Sequence, residues 1–462
     1  MLRAEGKATL PMDAARLQVV IVGSGPSGFY AAEALLGGRS DVSVDMIERL
    51  PVPYGLVRHG VAPDHQKLKQ VTKVYQRIAA DSRFSFFGNV ELGRDLSVEQ
   101  LGALYHAIVV ATGAGEGARL HIPGERLPGV HDATSFVGWY NGHPDFRDCR
   151  FDLSVDRAVI VGHGNVALDI CRMLAKPAEA LQRTDIAAHA ADALVRNNIR
   201  RIDLIGRRGP AQAKFTPREL QELDNLPGWA VHVDPTALER DESSQAGLDQ
   251  HSNTERARNV EILRRWTGPL PAADKVCHIR FLLAPHSIQQ DGKAIVLTCA
   301  RTQLRSGPFN VEAVPTGEFI TMRVGLVIRS IGYRGRPLPG LPFDRDRGTI
   351  RHDRGRVGTT TTGARIYATG WIKRGPQGII GTNRADSIET IDSLIADLGG
   401  LSTLPKPGSF GLGRILEAGS VQIVGDADWQ RIDRREIERG TAIGKPREKY
   451  TRIHEMLAAC LP

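Results

Sequence analysis

No two cysteines of this 462-residue chain stand in a CxxC arrangement, and no CxxCxxC run occurs; Cys149, Cys171, Cys277, Cys299 and Cys460 are scattered. That excludes a dithiol relay of adjacent thiols and an iron–sulfur centre held by the chain itself, and no metal site is expected. The five thiols are expected to be reduced and structural, in the cytoplasm. No apolar run approaches the roughly 18 residues of a membrane-spanning helix, so integral membrane association is not expected. The opening MLRAEGKATLPMDAAR lacks an apolar core and mixes Glu5 and Asp13 with its basic residues. It fits neither a secretory signal nor an acid-poor transit peptide. Sixty Lys plus Arg against 52 Asp plus Glu leave a net charge of +8, yet no long basic run with interleaved aromatics appears. Nucleic acid is therefore not an expected partner, whereas an acidic protein could be steered by the excess charge.

Glycine, in contrast, is abundant, with 49 residues, and the 41% apolar content suffices for two or three domains with proper cores. Two of the glycine-rich stretches share one pattern. In VVIVGSGPSGFYAAEAL the apolar Val19 to Val22 suit a buried parallel strand, Gly23 and Gly25 permit a tight turn before a helix, and Pro26 is counted with them among the cofactor-binding residues. Gly28 lets that helix pack closely on the strand. Backbone N–H groups at the helix start can hold a pyrophosphate. A second strand over Val42 to Ile47 then delivers Glu48, at about the 20 or so residues where this motif places a ribose-binding carboxylate. A carboxylate accepts hydroxyl hydrogen bonds and repels a 2′-phosphate, so this site takes FAD or NAD, with FAD preferred.

The second unit, AVIVGHGNVALDICRML, has its strand at Ala158 to Val161, its turn at Gly162 and Gly164, and Ala167 at the third small position. Asn165 and Val166 open its helix. Its next strand, Ile202 to Ile205, runs into Gly206, Arg207 and Arg208 where an NAD site would carry an acid. Two guanidinium groups there can bracket the extra phosphate of NADP. The two units together point to two dinucleotides.

The order of elements places one domain inside another. A strand ending in a glycine turn, AIVVATGAG at 107–115, is matched far downstream by RIYATG at 365–370, with the complete second unit between them. The fold class is α/β, with two Rossmann-like dinucleotide-binding domains. Expected boundaries are 17–114 and 336–462 for a discontinuous FAD-binding domain and 115–335 for the inserted NADP-binding domain. RSIGYRGRPLPGLPF at 329–343 reads as the return crossover. The polar stretch 241–258 reads as an exposed loop or helix edge, and Lys445 to Met456 as a surface helix. In the late stretch ATGWIKRGPQGIIGTNRADS, Gly375, Pro376 and Gly378 make a tight approach before Ile379 and Ile380. These begin a helix whose amides would face an anionic flavin edge, with Trp371 near the rings.

Five ordered blocks, VVIVGSGPSGFYAAEALL, PVPYGLVRHGVAPDHQKLK, VIVGHGNVALDICRML, LIGRRGPAQAKFTPREL and ATGWIKRGPQGIIGTN, resemble the adrenodoxin reductase family. That family comprises FAD-dependent, NADPH-using ferredoxin reductases of mitochondria and bacteria. The resemblance implies that Glu48 binds the adenosine ribose of FAD, that Leu56 and Val90 touch the cofactor, and that Trp371 and Gly378 to Ile380 contact the isoalloxazine. It further implies that His163, Gly164, Asn165 and Val166 bind the NADP pyrophosphate. Arg207, Arg208 and Glu219 would contact the adenosine end or neighbouring groups, and Gly378 would approach the nicotinamide. His65, in PDHQKLK, would lie near the flavin as a proton relay, and Glu219 near the nicotinamide pocket; these two are the candidate catalytic residues. Two departures stand out: His163 replaces the usual glutamine of GxGN, where a solvent-facing neutral imidazole is expected, and Ile379 replaces a common valine.

The function expected on these grounds is hydride transfer between NADPH and FAD, then single-electron transfer to an acidic ferredoxin-type iron–sulfur protein, by a monomer. The alternatives are an NADPH-oxidising flavoprotein subunit feeding another enzyme and an NADP(H)-sensing, flavin-bound interaction protein.

Overall fold

The computed structural model describes residues 16–238, 254–306, 311–400 and 405–461. The N-terminal segment 1–15 and most of the polar stretch 241–258 lie outside the described residues; Thr254–Arg264 is a helix. Two six-stranded sheets organise the chain. In the first, the strands run in the order Arg356–Thr359, Arg365–Ala368, Ala107–Val110, Leu17–Val22, Val42–Glu48, Phe84–Gly88. All pair in parallel except the outermost, Arg356–Thr359, which is antiparallel to Arg365–Ala368. The second is all parallel: Val130–Asp132, Leu326–Arg329, Arg157–Val161, Arg201–Ile205, Val276–Arg280, Ala230–Val233. The chain thus leaves the first sheet after Val110, builds the whole of the second, and returns at Arg356. A three-stranded antiparallel meander, Leu283–Asp291, Ala294–Ser306 and Val311–Val324, covers one face of the second sheet.

The unbroken apolar runs at the centre of each sheet follow from this layering, because a parallel strand with cover on both sides has no solvent face. Val19 and Ile21 enter one core and Val20 and Val22 another; Ala158 and Ile160 are divided from Val159 and Val161 in the same way. Each glycine turn lies where the central strand of its sheet meets the following helix, Pro26–Gly38 or Asn165–Ala175. Between the sheets, Tyr333–Arg334 pairs with Glu116–Gly117, so outgoing and returning crossovers are laced together. No helix among the described residues is long and apolar enough to cross a membrane.

The C-terminal expectation needs correction. The final helix is Ile453–Ala458, and the segment before it is not a surface helix: Lys445, Glu448 and Lys449 are buried. A run that is four-fifths charged in KPREK reads as exposed, but each of these side chains meets a polar partner contributed by distant chain.

The strand–helix contact at the first turn can be tested directly. A Cβ at Gly28 would lie 2.1 Å from the Gly23 carbonyl oxygen, an atom of the backbone that cannot rotate away. Gly28→Ala should destabilise the protein by at least the roughly 1–3 kcal/mol of ordinary overpacking. Gly25→Ala, where an added Cβ meets nothing within 4 Å, should leave the thermal midpoint nearly unchanged. Thermal unfolding of the two variants side by side checks this.

Candidate active site

At the first turn Gly23 takes φ +107°, and a Cβ there would lie 2.6 Å from the Ala111 carbonyl oxygen. Glu48, at the end of its strand, is held by three donors: Ser24 N at 3.0 Å, Ser24 Oγ at 2.7 Å and Leu50 N at 3.0 Å. A carboxylate has about four lone-pair sites, so acceptor capacity remains for ribose hydroxyls. Val90, buried, donates its N–H to the Glu48 carbonyl at 2.8 Å. Half-buried Leu56 follows Tyr54, whose N–H reaches the Ser24 carbonyl at 3.0 Å. The structure therefore gathers Gly23, Gly25, Pro26, Gly28, Glu48, Leu56 and Val90 around one helix N-terminus.

The late motif closes on the same place. Gly370, at φ +75°, sits so close to the first helix that a Cβ would lie 2.0 Å from Ser27 Oγ, and Ser387 Oγ donates to the Ser27 carbonyl at 3.0 Å. Asp386 anchors the turn by accepting from the Gly370 N–H and from Thr369 Oγ1, with Lys373 Nζ 3.1 Å away. Trp371 begins the helix Trp371–Arg374 and packs on Tyr333 at 5.6 Å between ring centroids. Its indole Nε1 is buried without a hydrogen-bond partner among the described residues. Gly378 takes φ +82°, Ile379 is 66% exposed, and Ile380 opens the helix Ile380–Ala396.

In the second unit Gly162 takes φ +135°, and a Cβ there would meet the Ser330 carbonyl oxygen at 2.1 Å. An added Cβ at Gly164 meets nothing within 4 Å, which leaves the mouth of that turn open. Asn165 Oδ1 accepts from Thr216 N at 2.8 Å and the Lys214 N–H reaches the His163 carbonyl at 2.7 Å, so the loop after Gly206 folds back over the turn. Half-buried Val166 packs against the core of this unit. The expected solvent-facing His163 is overturned. Its ring lies against Phe281, at 4.5 Å between centroids, under Gly206, with Nε2 3.3 Å from the Leu204 carbonyl. Burial pushes its pKa down to about 4, so the imidazole is neutral and offers a phosphate no pH-dependent contact.

Arg207 is exposed and Arg208 half-buried, and neither forms an ion pair with a carboxylate among the described residues. Their backbone is fixed from the meander: Thr302 Oγ1 donates to the Arg207 carbonyl at 2.7 Å and Leu282 N to that of Arg208 at 3.2 Å. Arg208 Nε is buried without a partner. Two uncompensated guanidinium groups on a braced turn are a fit for an anion.

His65 and Glu219 meet in a half-buried cluster with members that the sequence motifs did not single out. His65 Nε2 lies 3.5 Å from Glu219 but 3.0 Å from Glu222. At the centre is Arg172, with no exposed side chain, reaching Asp64, Asp169, Glu219 and Glu222 at 3.1, 2.9, 3.2 and 3.2 Å. Asp64 and His65 come from the first unit, the others from the second. Burial alone would lower the His65 pKa, but Glu222, with Glu219 and Asp169 behind it, raises it above the ordinary value in spite of Arg172. Burial pushes Asp169 up to about 6, while Arg172 and Lys176 overcome burial to hold Asp64 down at about 2. Nε2 is also 2.9 Å from Arg172 Nη2. One nitrogen cannot donate and accept at once: protonated it donates to Glu222, deprotonated it accepts from Arg172. The spacings Asp169–Arg172 and Glu219–Glu222, each i,i+3, were the available signal for the missed members. Two carboxylate–histidine groupings here have ligand-like spacing, but the Arg172 guanidinium sits among them and already compensates their charge.

The two turns and the late motif fit the groups that a bound FAD and NADP(H) would present: open helix starts at Gly25 and Gly164, an acceptor at Glu48, an unpartnered indole donor at Trp371, and unpaired cations at Arg207 and Arg208. They define an NADPH-dependent flavoprotein oxidoreductase built on two Rossmann-type domains. Residues 17–202 match the family model described as pyridine nucleotide-disulphide oxidoreductase. The NADPH-ferredoxin reductase FprA of Mycobacterium leprae is 43% identical across 95% of this chain and 97% of its own. The mitochondrial NADPH:adrenodoxin oxidoreductase of Bos taurus is 41% identical across 95% of this chain and 91% of its own. Among solved structures, Mycobacterium tuberculosis FprA in complex with NADPH superposes with a TM-score of 0.91 at 41% identity, covering 97% of this chain and 100% of the other. The chain belongs to the adrenodoxin reductase family.

Two measurements follow from this geometry. A charged contact to a 2′-phosphate is worth about 1.5–3 kcal/mol, and with Arg207 exposed and Arg208 half-buried the partly solvated pair stays near the lower end, so Arg207→Ala/Arg208→Ala should lower the preference for NADPH over NADH about a hundredfold. The loss should fall on KM for NADPH; steady-state kinetics with both nucleotides reads it, and an unchanged preference would remove the clamp. The second concerns His65. Because its pKa is raised, pairing with Glu222 adds stability below pH about 6.5, and that contribution disappears as pH rises through the folded-state value. Glu222→Gln should shift the His65 titration to lower pH in an NMR experiment on labelled imidazole carbons.

Proposed function

We propose that the chain is a ferredoxin–NADP reductase that passes electrons between NADP(H) and a ferredoxin-type iron–sulfur protein by way of FAD. The observation that carries the reading is the pair of glycine turns closed by opposite charges, Glu48 in one and Arg207 with Arg208 in the other. Within it, Gly23, Gly25, Pro26, Gly28, Glu48, Leu56, Val90 and Trp371 with Gly378 to Ile380 hold FAD. The chain from His163 to Val166, with Arg207 and Arg208, holds NADP(H). We take 17–114 with 336–462 as the FAD-binding domain and 115–335 as the NADP-binding domain.

Bound FAD supplies the conversion between a two-electron donor and a one-electron acceptor. The residues of the chain orient and tune. Helix starts at Pro26 and Ile380 present amide N–H groups to anionic groups. His65, poised between Glu222 and Arg172, holds or releases a proton at Nε2, and Glu219 keeps Arg172 in place beside it. No nucleophile is required. The acceptor is an acidic ferredoxin, drawn by the +8 net charge. We read the protein as a monomer of the cytoplasm; its five cysteines are free, the state a reducing compartment maintains.

Turnover with an added ferredoxin, followed through cytochrome c reduction by NADPH, tests the proposal. Ferredoxin should stimulate the rate, and stimulation should fall steeply with salt because the Debye length shrinks to about 10 Å at 0.1 M. Ferricyanide reduction, which needs no protein docking, should change far less. Flavin reduction without ferredoxin-dependent turnover would favour an NADP(H)-sensing protein instead.

A further inference from the structure

Next to the His65–Arg172 cluster along the chain, the two units are joined a second time by the C-terminal segment. Asp185, buried beside the inserted unit's helix Ala188–Val195, is approached by two lysines. Lys69 of the first unit donates to both its oxygens at 2.7 Å, and Lys449 of the C-terminal segment lies 3.2 Å from Oδ2. Gln66 Nε2 donates to the same carboxylate at 2.9 Å. Lys449 also donates to the carbonyls of Asn141, at 3.0 Å, and Arg58, at 3.4 Å, one in each unit. Three separate stretches of chain therefore converge on one ammonium group. Gln66 and Lys69 flank the helical turn that follows His65, and Arg58 follows Leu56 by two residues. The segment being fastened is the one that carries the first unit's groups into the site.

We propose that Lys449 and Asp185 form a bolt between the two dinucleotide-binding units, and that Lys449 is a positioning residue for electron transfer between the two cofactors. Burial pulls Lys449 down to about 7 even beside Asp185, while Lys449 and Lys69 overcome burial to hold the Asp185 carboxyl well below the ordinary carboxylate range. What the arrangement supplies is geometry. One carboxylate of the inserted unit accepts from two separate stretches of the FAD-binding domain, at Gln66 with Lys69 and at Lys449, only at one relative placement of the two units, and misplacement of reacting groups by about 1 Å can cost a hundredfold in rate. Other pairs across the same boundary, Arg49–Asp145 and Arg452–Asp148, are water-exposed and contribute little. The inference rests on the reading of the first unit as the FAD site and the second as the NADP(H) site.

Anaerobic stopped-flow reduction of the FAD-loaded protein by NADPH tests it, with Lys449→Met, Lys449→Arg and Asp185→Asn compared with the parent. Lys449→Met should keep its FAD and bind NADPH within about twofold of the parent while its limiting rate of flavin reduction falls about tenfold or more. Lys449→Arg, which keeps the charge, should recover most of that rate. Asp185→Asn, which retains shape and an acceptor oxygen, tests the other end of the contact and should likewise slow the limiting rate without weakening NADPH binding. Parental rates in Lys449→Met or Asp185→Asn, or slowing only in step with lost FAD, would overturn the bolt. A parent that NADPH does not reduce would overturn the cofactor reading and the bolt with it.

Discussion

A side chain at residue 28 would begin 2.1 Å from the Gly23 carbonyl oxygen, and one at residue 162 would begin at the same distance from the carbonyl of Ser330. These two contacts between backbones are the constraint on which the rest of the molecule is arranged. Glycine at 28 lets the first helix start against its own turn, glycine at 162 lets the second turn pass against the end of the neighbouring strand Leu326–Arg329, and the helices that follow aim their first free N–H groups over the carboxyl edge of a parallel sheet. What each mouth then receives is decided elsewhere in its unit. The first carries a carboxylate tied down by Ser24 and Leu50; the second carries two guanidinium groups on a turn tied to the meander. In the proposed reading, two glycine turns of one type serve adenosine ends that differ by a 2′-phosphate, because the discriminating charge is contributed by the next strand and not by the turn.

Two sheets with a mouth each do not make a site until their relation is set. The first sheet is interrupted after Val110 and resumes at Arg356, so the inserted unit hangs from two crossovers laced by the short pairing of Glu116–Gly117 with Tyr333–Arg334. A pairing of two residues cannot by itself restrain rotation. The buried charges act as further ties. Arg172, from the helix after the second turn, reaches Asp64 of the first unit, and beyond it Asp185 takes Lys69 and Lys449. Such ions are costly to bury, and they direct the chain because any other placement of the units would leave one of them unpaired.

Much of this was legible before the structure. Strands expected at Val19 to Val22, Val42 to Ile47, Ala158 to Val161 and Ile202 to Ile205 are present, extended by at most two residues at an end. Unbroken apolar runs between glycine turns have few other uses in an α/β chain, and the order of the two units dictated the insertion. His163 was misjudged because its neighbours in sequence are glycines, which suggest an open turn. The ring's real neighbours, Phe215 and Phe281, lie about 50 and 120 residues downstream. Cys171 and Cys277, read as scattered, stand 3.3 Å apart between a helix and a strand, both free and fully buried.

The misreading of His163 shares a cause with the C-terminal one. A sequence reports which groups are polar, but the cost of burying a polar group depends on partners that only the fold brings near. KPREKY has the composition of a solvated helix end, and in isolation it would be one. Its three buried charges are tolerated because Ile186, Ala188 and Asp185, some 260 residues earlier, present a carbonyl, an amide and a carboxylate to receive them. The same holds at the cluster: Glu219 and Glu222 are unremarkable helix acids until Arg172 and His65 arrive from two other stretches of chain. Cofactor mouths, built from glycine and local turns, can be read along the chain. The ties that set one mouth against the other join residues far apart in sequence, and for that reason they became visible only in three dimensions.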